Sequence, residues 1–384
     1  MWSYAIDIIS HLYLHVPFCD TKCNYCGFYS VTHHIKKTKE LYLSSLEKEL
    51  DYYLSIYQIV PETIYIGGGN PASDPQMLNK IIQLLQKKLT LTCMKEYTIE
   101  CNPLNINKEL IVVFKDFSIT RVSMGIQSFT QEALEYSNRK NQSINVIHNA
   151  LSLLEEIDIN ISIDLISALP KTDILYDKKE LINLLNTYKK INHVSLYDLS
   201  IDEGSYFYEN KPLIDSPDFL NKYEIEIQNI LLKNGFNQYE ISNYSRGITH
   251  ESLHNKAYWK YKNYIGLGPG AHGKIDSMRH ENLKSIDNYN SENINSYKIS
   301  SIIMPVEMLE EVLLMGLRIN EGIELNLIKK LINDDKKYEN FITVISYYSK
   351  NHYLLLKGES LYSTKKGWNI LNTILVDLFI TFSN

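Results

Sequence analysis

Between Leu12 and Ser200, six short runs of β-branched and aromatic residues each lead into a turn and then a helical pattern. This alternation restricts the fold more than any other feature. The runs are Leu12–Val16, Thr63–Ile66, Tyr97–Glu100, Arg121–Met124, Ile159–Leu165 and His193–Leu199. The clearest intervening helix spans about Lys39 to Ile56, where Leu43, Leu46, Leu50, Tyr53 and Leu54 recur at spacings of three and four. Strands alternating with helices imply βαβ units and a parallel sheet. Right-handed crossovers then allow an open doubly wound sheet or a barrel. Glycine and polar residues collect after successive strands: Gly67-Gly68-Gly69, Glu100-Cys101-Asn102, Gly125-Ile126-Gln127 and Asp164. The carboxyl edge is where parallel α/β sheets and barrels bind ligands, so one site built from five strand ends is expected.

The pattern changes after Asp218. A helix over Phe219 to Asn234 leads to an aromatic, glycine-rich stretch ending Gly266-Leu267-Gly268-Pro269-Gly270-Ala271-His272-Gly273. From Pro305, three helical patterns precede two short β runs, His352–Leu356 and Leu361–Ser363, and an amphipathic helix from Lys365 to Phe382. This reads as a small, helical, winged-helix-like unit. The expected division is 11–235 for the α/β domain, 236–300 for a connecting region and 301–384 for the C-terminal domain.

Composition narrows the function. The net charge of −6 argues against nucleic-acid binding as the main activity. The longest apolar stretch, Ile370 to Phe382, is interrupted by Asn372 and Asp377, so no membrane span is expected. Asp7 divides the apolar N-terminus and no basic segment precedes it, which argues against a signal peptide. A cytoplasmic protein is expected.

Of five cysteines, three stand close together as Cys19-x3-Cys23-x2-Cys26, on a loop after the first strand; Cys93 and Cys101 are read as incidental or buried thiols. Three thiolates on one loop can hold a soft metal centre. A structural zinc asks for a fourth ligand, for which His15 is the near candidate. A [4Fe–4S] cluster held by three cysteines leaves one iron open to a small molecule. Three thiols without metal are the remaining alternative.

The Cys19-x3-Cys23-x2-Cys26 motif, with Tyr25 before its last cysteine, resembles the signature of the radical S-adenosylmethionine (SAM) family. The stretches Tyr13 to Cys19, Gly67 to Pro71, Arg121 to Phe129 and Asp164-Leu165-Ile166 are similar to the branch that contains oxygen-independent coproporphyrinogen III oxidase. His254-Asn255-x2-Tyr258-Trp259, Gly268 to Gly273, Met315 to Arg318 and Glu321-Gly322-Ile323 resemble the heme chaperones of that branch. The similarity runs from about residue 11 to residue 380. It implies a partial (β/α)6 TIM-type barrel with a smaller C-terminal helical domain. It also implies that Cys19, Cys23 and Cys26 ligate a [4Fe–4S] cluster whose open iron binds SAM. In that family one electron from the cluster cleaves the sulfonium to a 5′-deoxyadenosyl radical.

The same resemblance implies that Tyr13, Gly68, Gly69, Asn70, Glu100, Gln127, Arg139 and Asp164 contact SAM. Glu100 suits its ammonium, and Arg139 suits its carboxylate. His254, Tyr258 and Trp259, with His272 as a rival ligand, are the heme candidates. The oxidases carry a further cysteine where this chain has Phe28, and the chaperones usually have Asp in place of Gly27. Ser167-Ala168 also replaces an aromatic-Gly pair. The resemblance therefore favours a heme chaperone that passes heme to an acceptor protein and draws electrons from a flavodoxin or ferredoxin. Coproporphyrinogen III oxidation is the alternative.

Overall fold

In the computed structural model, residues 8–291, 293–294 and 297–383 are described. The apolar segment around Asp7 lies outside them. Six parallel strands follow one another in space as in sequence: β1 (Ile8–Val16), β2 (Gln58–Gly68), β3 (Glu96–Cys101), β4 (Arg121–Gln127), β5 (Asn160–Ser167) and β6 (Ile191–Asp198). Helices Lys36–Ile56, Pro75–Lys88, Lys108–Asp116, Ile144–Glu155 and Ile174–Thr187 cross between them. This is the partial (β/α)6 barrel.

Strand alternation divides each strand's residues between two faces. Leu12, Leu14, Ile64, Ile66, Ile99, Val122, Ile161, Ile163 and Val194 are fully buried in the main core, which also takes in Tyr42, Leu46, Leu50 and Leu78 of the covering helices. The intervening residues, among them Tyr13, Tyr65, Glu100, Ser123, Asp164 and Ser195, carry the polar groups of the barrel interior.

Three strands absent from the sequence reading extend the sheet. β8 (Asn243–Ser245) adds antiparallel to β6 and β7 (Asn237–Gln238) antiparallel to β8, whereas β9 (Ile265–Leu267) adds parallel to β1. The sheet order β7-β8-β6-β5-β4-β3-β2-β1-β9 does not close, so a seam remains between its two ends. The connecting region also folds into an antiparallel sheet of β10 (His272–Ile275), β11 (Met278–Asn282) and β12 (Lys298–Ile302). These strands are only two to five residues long, below what periodicity can detect.

A buried ion pair seals the amino-terminal end of the barrel. Arg121 Nε lies 3.1 Å from Glu96 Oε2, and both side chains are 4% exposed. Arg121 also donates to the carbonyls of His250 and Glu251, while Glu96 accepts from Ser252 Oγ and from the backbone N–H groups of Leu253 and His254. The pair thus holds helix Leu253–Trp259 against the barrel.

A second core, from Leu309 to Phe382, belongs to the C-terminal helices and a three-stranded sheet. The expected single helix over 365–382 is instead two, Lys365–Trp368 and Leu371–Ser383. The first starts at Thr364, whose hydroxyl accepts from Gly367 N, and ends at Asn369, with Trp368 Nε1 donating to Leu317 O. Asn320 N donates to Tyr239 O, and Lys256 and Lys260 pair with Glu321, fastening this unit to the barrel.

Candidate functional site

The carboxyl ends of the strands bring the cysteine loop and most of the SAM candidates together. The loop is pinned where it leaves β1, with Cys19 N donating to Val31 O and Val31 N to Pro17 O. On its other side Asn24 N donates to Ser137 O, Asn24 Nδ2 to Tyr136 O and Asn138 Nδ2 to Lys22 O. Cys19, Cys23 and Cys26 are all partly buried and free. Burial first, then the neighbouring Cys26 and Cys23, pushes the Cys19 thiol up to about 12. Burial likewise raises Cys26. A cationic centre is what would turn this group into thiolates.

Among the described residues no three His, Cys, Asp or Glu side chains converge on a single ion. His15, the fourth ligand a zinc would need, has both nitrogens committed: Nδ1 to Tyr13 Oη at 3.0 Å and Nε2 to Tyr29 O at 2.8 Å. Three separated sulfurs on one loop instead suit a cluster that takes one thiolate per iron.

Glu100 ends β3 with both carboxylate oxygens held. Tyr65 Oη donates to Oε1 at 2.7 Å and Gly68 N to Oε2 at 2.9 Å. Burial raises its pKa, with Asp164 adding to the effect. Gly67 is what lets the carboxylate sit here, because a Cβ at that position would stand 2.6 Å from Glu100 Cδ. Gly68 has φ +107°, a conformation that favours glycine. The N–H groups of Gly68, Gly69 and Asn70 donate to Glu100, Val16 and Phe18 respectively. No N–H of this turn is left for an anion, which suits an ammonium. Asn70 Oδ1 is buried without a partner in the protein.

Asp164 on β5 accepts from Ser123 Oγ at 2.7 Å and Ser195 Oγ at 2.8 Å, and burial raises its pKa. Gln127 takes φ +72° at a register shift between β4 and β5, strain of the kind that gathers at binding sites. Arg139 is no surface residue. Its Nη1 donates to Cys23 Sγ at 3.3 Å, its Nη2 to Gly125 O at 2.6 Å, and Gln142 Oε1 receives both Nε and Nη2. Tyr13 and Tyr65 lie with ring centroids 6.1 Å apart, and Tyr65 donates to Glu100.

Tyr65, Ser123, Ser195 and Gln142 were not singled out from the sequence. Ser123 sits two residues before Gly125, and Tyr65 two before Gly67, so strand alternation alone puts each pair on the interior face.

Two departures are explained spatially. Phe28 is 69% exposed on the cluster loop. A Cβ on Gly27 would lie 2.6 Å from Cβ of Asp202 and 2.8 Å from its Oδ2, so the loop after β6 fills that space with a carboxylate.

The heme candidates are divided. His254 is buried, with Nδ1 on Thr63 Oγ1 and Nε2 on Tyr258 Oη, both at 2.8 Å, and its ring stacks on Tyr65. Burial lowers its pKa to about 3. Tyr258 and Trp259 line a cavity in the seam, which His254 and His272 do not. His272 is half exposed, its Nε2 3.8 Å from Glu281.

An incomplete parallel barrel with three cysteines on the loop after its first strand defines the radical SAM class, and the radical SAM superfamily profile matches residues 13–185. The chain is 31% identical over 376 residues to the heme chaperone HemW of Lactococcus lactis, covering 94% of this chain and 95% of the relative. It is 30% identical to heme chaperone HemW of Bacillus subtilis over 81% of this chain and 84% of that one. The chain belongs to the HemW family of radical SAM proteins. Among solved structures it superposes on Escherichia coli coproporphyrinogen III oxidase (HemN) with a TM-score of 0.80 at 18% identity, covering 96% of this chain and 90% of that one, a likeness of fold. The family implies a [4Fe–4S] cluster and SAM. No described helix is long and apolar enough to cross a membrane.

Proposed function

We propose that this protein is a heme chaperone that holds a [4Fe–4S] cluster and SAM, binds heme and passes it to a heme-dependent acceptor in the cytoplasm. The observation that carries the reading is the near full-length match to relatives named as heme chaperones, C-terminal unit included. Phe28 in place of the oxidases' cysteine supports it over coproporphyrinogen oxidation. Cys19, Cys23 and Cys26 would ligate the cluster, which when bound supplies an electron to SAM's sulfonium. Glu100, fixed by Tyr65 and Gly68, takes the SAM ammonium, aided by the turn at Gly69 and Asn70. Arg139 keeps a cation beside Cys23 for the carboxylate. Asp164, held by two serines, faces the ribose, and Tyr13 and Gln127 border the same space. The segment from His254 to His272, with Tyr258 and Trp259, serves heme. A flavodoxin or ferredoxin supplies the electron. Domain limits near 236 and 301 belong to the same proposal; the two separate cores support the limit near 301, whereas Tyr244, Ile265 and Ile275 pack into the barrel core across the one near 236.

The test is anaerobic. The reconstituted protein receives SAM, a reductant and coproporphyrinogen III, and in parallel a hemin titration. Stoichiometric hemin binding without protoporphyrinogen is expected. Protoporphyrinogen formed together with 5′-deoxyadenosine would make the protein an oxidase.

A further inference from the structure

A tight loop joins helix Gln131–Tyr136 to helix Ile144–Glu155 and lies against the cysteine loop. Asn24 N, Asn24 Nδ2 and Asn138 Nδ2 tie the two loops together. Asn138 has φ +62°, a left-handed conformation that asparagine tolerates better than most residues. The residue after it, Arg139, is the one that reaches Cys23.

A guanidinium carries its N–H donors in a rigid planar fork, and every donor of Arg139 is taken within the protein. Nε donates to Gln142 Oε1 at 3.0 Å, and Nη2 to the same oxygen at 2.7 Å and to Gly125 O at 2.6 Å. Nη1 donates to Cys23 Sγ at 3.3 Å and to Tyr25 Oη at 3.4 Å. The aim of the fork is therefore fixed before any ligand arrives. Gln142 fixes it. Its side chain is fully buried, with Nε2 donating to Ile126 O at 2.6 Å while Oε1 takes the two Arg139 bonds. Turning the amide over would set donor against donor and oxygen against oxygen, so only one orientation satisfies both neighbours. Gln142 N also donates to Arg139 O at 3.0 Å.

We propose that Gln142 aims the Arg139 guanidinium at the Cys23 thiolate and that this N–H···S bond raises the reduction potential of the cluster. This rests on Cys23 as a cluster ligand and gives Arg139 a role apart from SAM binding. Reduction adds one electron, from a carrier of flavodoxin or ferredoxin type, and neither forms nor breaks a bond. The added negative charge spreads onto the sulfurs, so a hydrogen bond or a cation at a sulfur favours the reduced form. Arg139 supplies both at Cys23. Its guanidinium stays protonated at every working pH, so the effect does not depend on titration. A partly buried charge is also screened little by salt. Among the described residues Gln142 hydrogen-bonds to no cysteine, so it is a positioning residue that acts through Arg139.

The experiment is a redox titration of the full-length, cluster-loaded protein, followed by the EPR signal of the reduced cluster. SAM is left out, so that any contact of Arg139 with its carboxylate plays no part. The wild type is compared with Gln142→Met, Arg139→Met and the double variant. Gln142→Met keeps the side-chain length and the charge of the site while removing the acceptor. Iron and sulfide content and the thermal midpoint establish that each variant is folded and loaded. Arg139→Met should make the cluster at least about tenfold harder to reduce, a fall of about 59 mV for one electron. Gln142→Met should shift the potential in the same direction, and the double variant should match Arg139→Met, because the glutamine acts only through the arginine. An unchanged potential in either loaded single variant, or a double variant whose shift is the sum of the single ones, would overturn the inference. Should one single variant fail to hold the cluster, the shift of the other decides. A wild type that binds no iron would overturn the assignment of Cys23 as a ligand, and the inference with it.

Discussion

Replacing Glu100 by Gln removes a charge and little else. The amide oxygen can still accept from Gly68 N, and the amide nitrogen can donate to Tyr65 Oη, which rotates to accept. What disappears is the negative charge that faces the SAM ammonium. A hydrogen bond to a charged group contributes about 1.5–3 kcal/mol, so SAM should bind about 10- to 150-fold more weakly. The ligand-free protein should move the other way. Burial raises the Glu100 pKa, so the folded state holds a proton that the unfolded state releases, and stability falls as pH rises between those two values. Glu100→Gln abolishes that loss and should leave the apo protein as stable as the wild type near neutral pH, or more so. Anaerobic calorimetry with SAM and urea unfolding without it measure the two arms. Acidification adds a third signature, since wild-type affinity weakens as Glu100 protonates while the variant's stays flat. An unchanged SAM affinity would refute the assignment of Glu100 to the ammonium. Loss of apo stability along with SAM binding would instead show that the substitution collapses the Gly67–Gly68 turn.

Other consequences can be checked separately. Arg121→Met should cost about 3–5 kcal/mol in urea unfolding, because it leaves Glu96 as an uncompensated buried charge under helix Leu253–Trp259; a loss below about 1 kcal/mol would show that the backbone N–H groups suffice to hold the carboxylate. Burial holds His254 at about 3 and His15 at about 4, below the ordinary 6.5, so both contribute stability that is present above about pH 6.5 and lost as pH falls. His254→Asn should therefore flatten the acid limb by up to ~1.4 kcal/mol per pH unit, read from urea midpoints across pH. Serine at Cys19, Cys23 or Cys26 should abolish bound iron and sulfide, whereas Cys93→Ser should not; iron retained in any of the first three would remove that residue from the ligand set.

Much of the barrel was legible because each strand carried enough apolar residues to bury and because glycine and polar residues marked the strand ends. The cysteine spacing and the Gly67–Asn70 turn were legible for the same reason: their residue types are restricted. What escaped was built from residues that carry no such mark. β7 and β9, two and three residues long, have no periodicity, and they create the seam only by failing to meet. Gln142 reads as an ordinary polar loop residue until its burial is known. His254, prominent in its motif, gave no sign that Thr63, 191 residues away, would take its Nδ1. Side-chain commitments over such separations are set by packing and leave no local pattern.

The contact between Gly27 and Asp202 has an evolutionary corollary. Two positions 175 residues apart in the chain crowd one another, since a Cβ on Gly27 would meet the Asp202 side chain. Where relatives place a carboxylate on the cluster loop, the partner position must shrink; here it is the cluster loop that has shrunk and the loop after β6 that presents the acid. Substitution at one position opens or closes the other, so the two should vary as a pair across the family. If they do, a tally of either column alone would report a lost acidic residue where the pair has exchanged it.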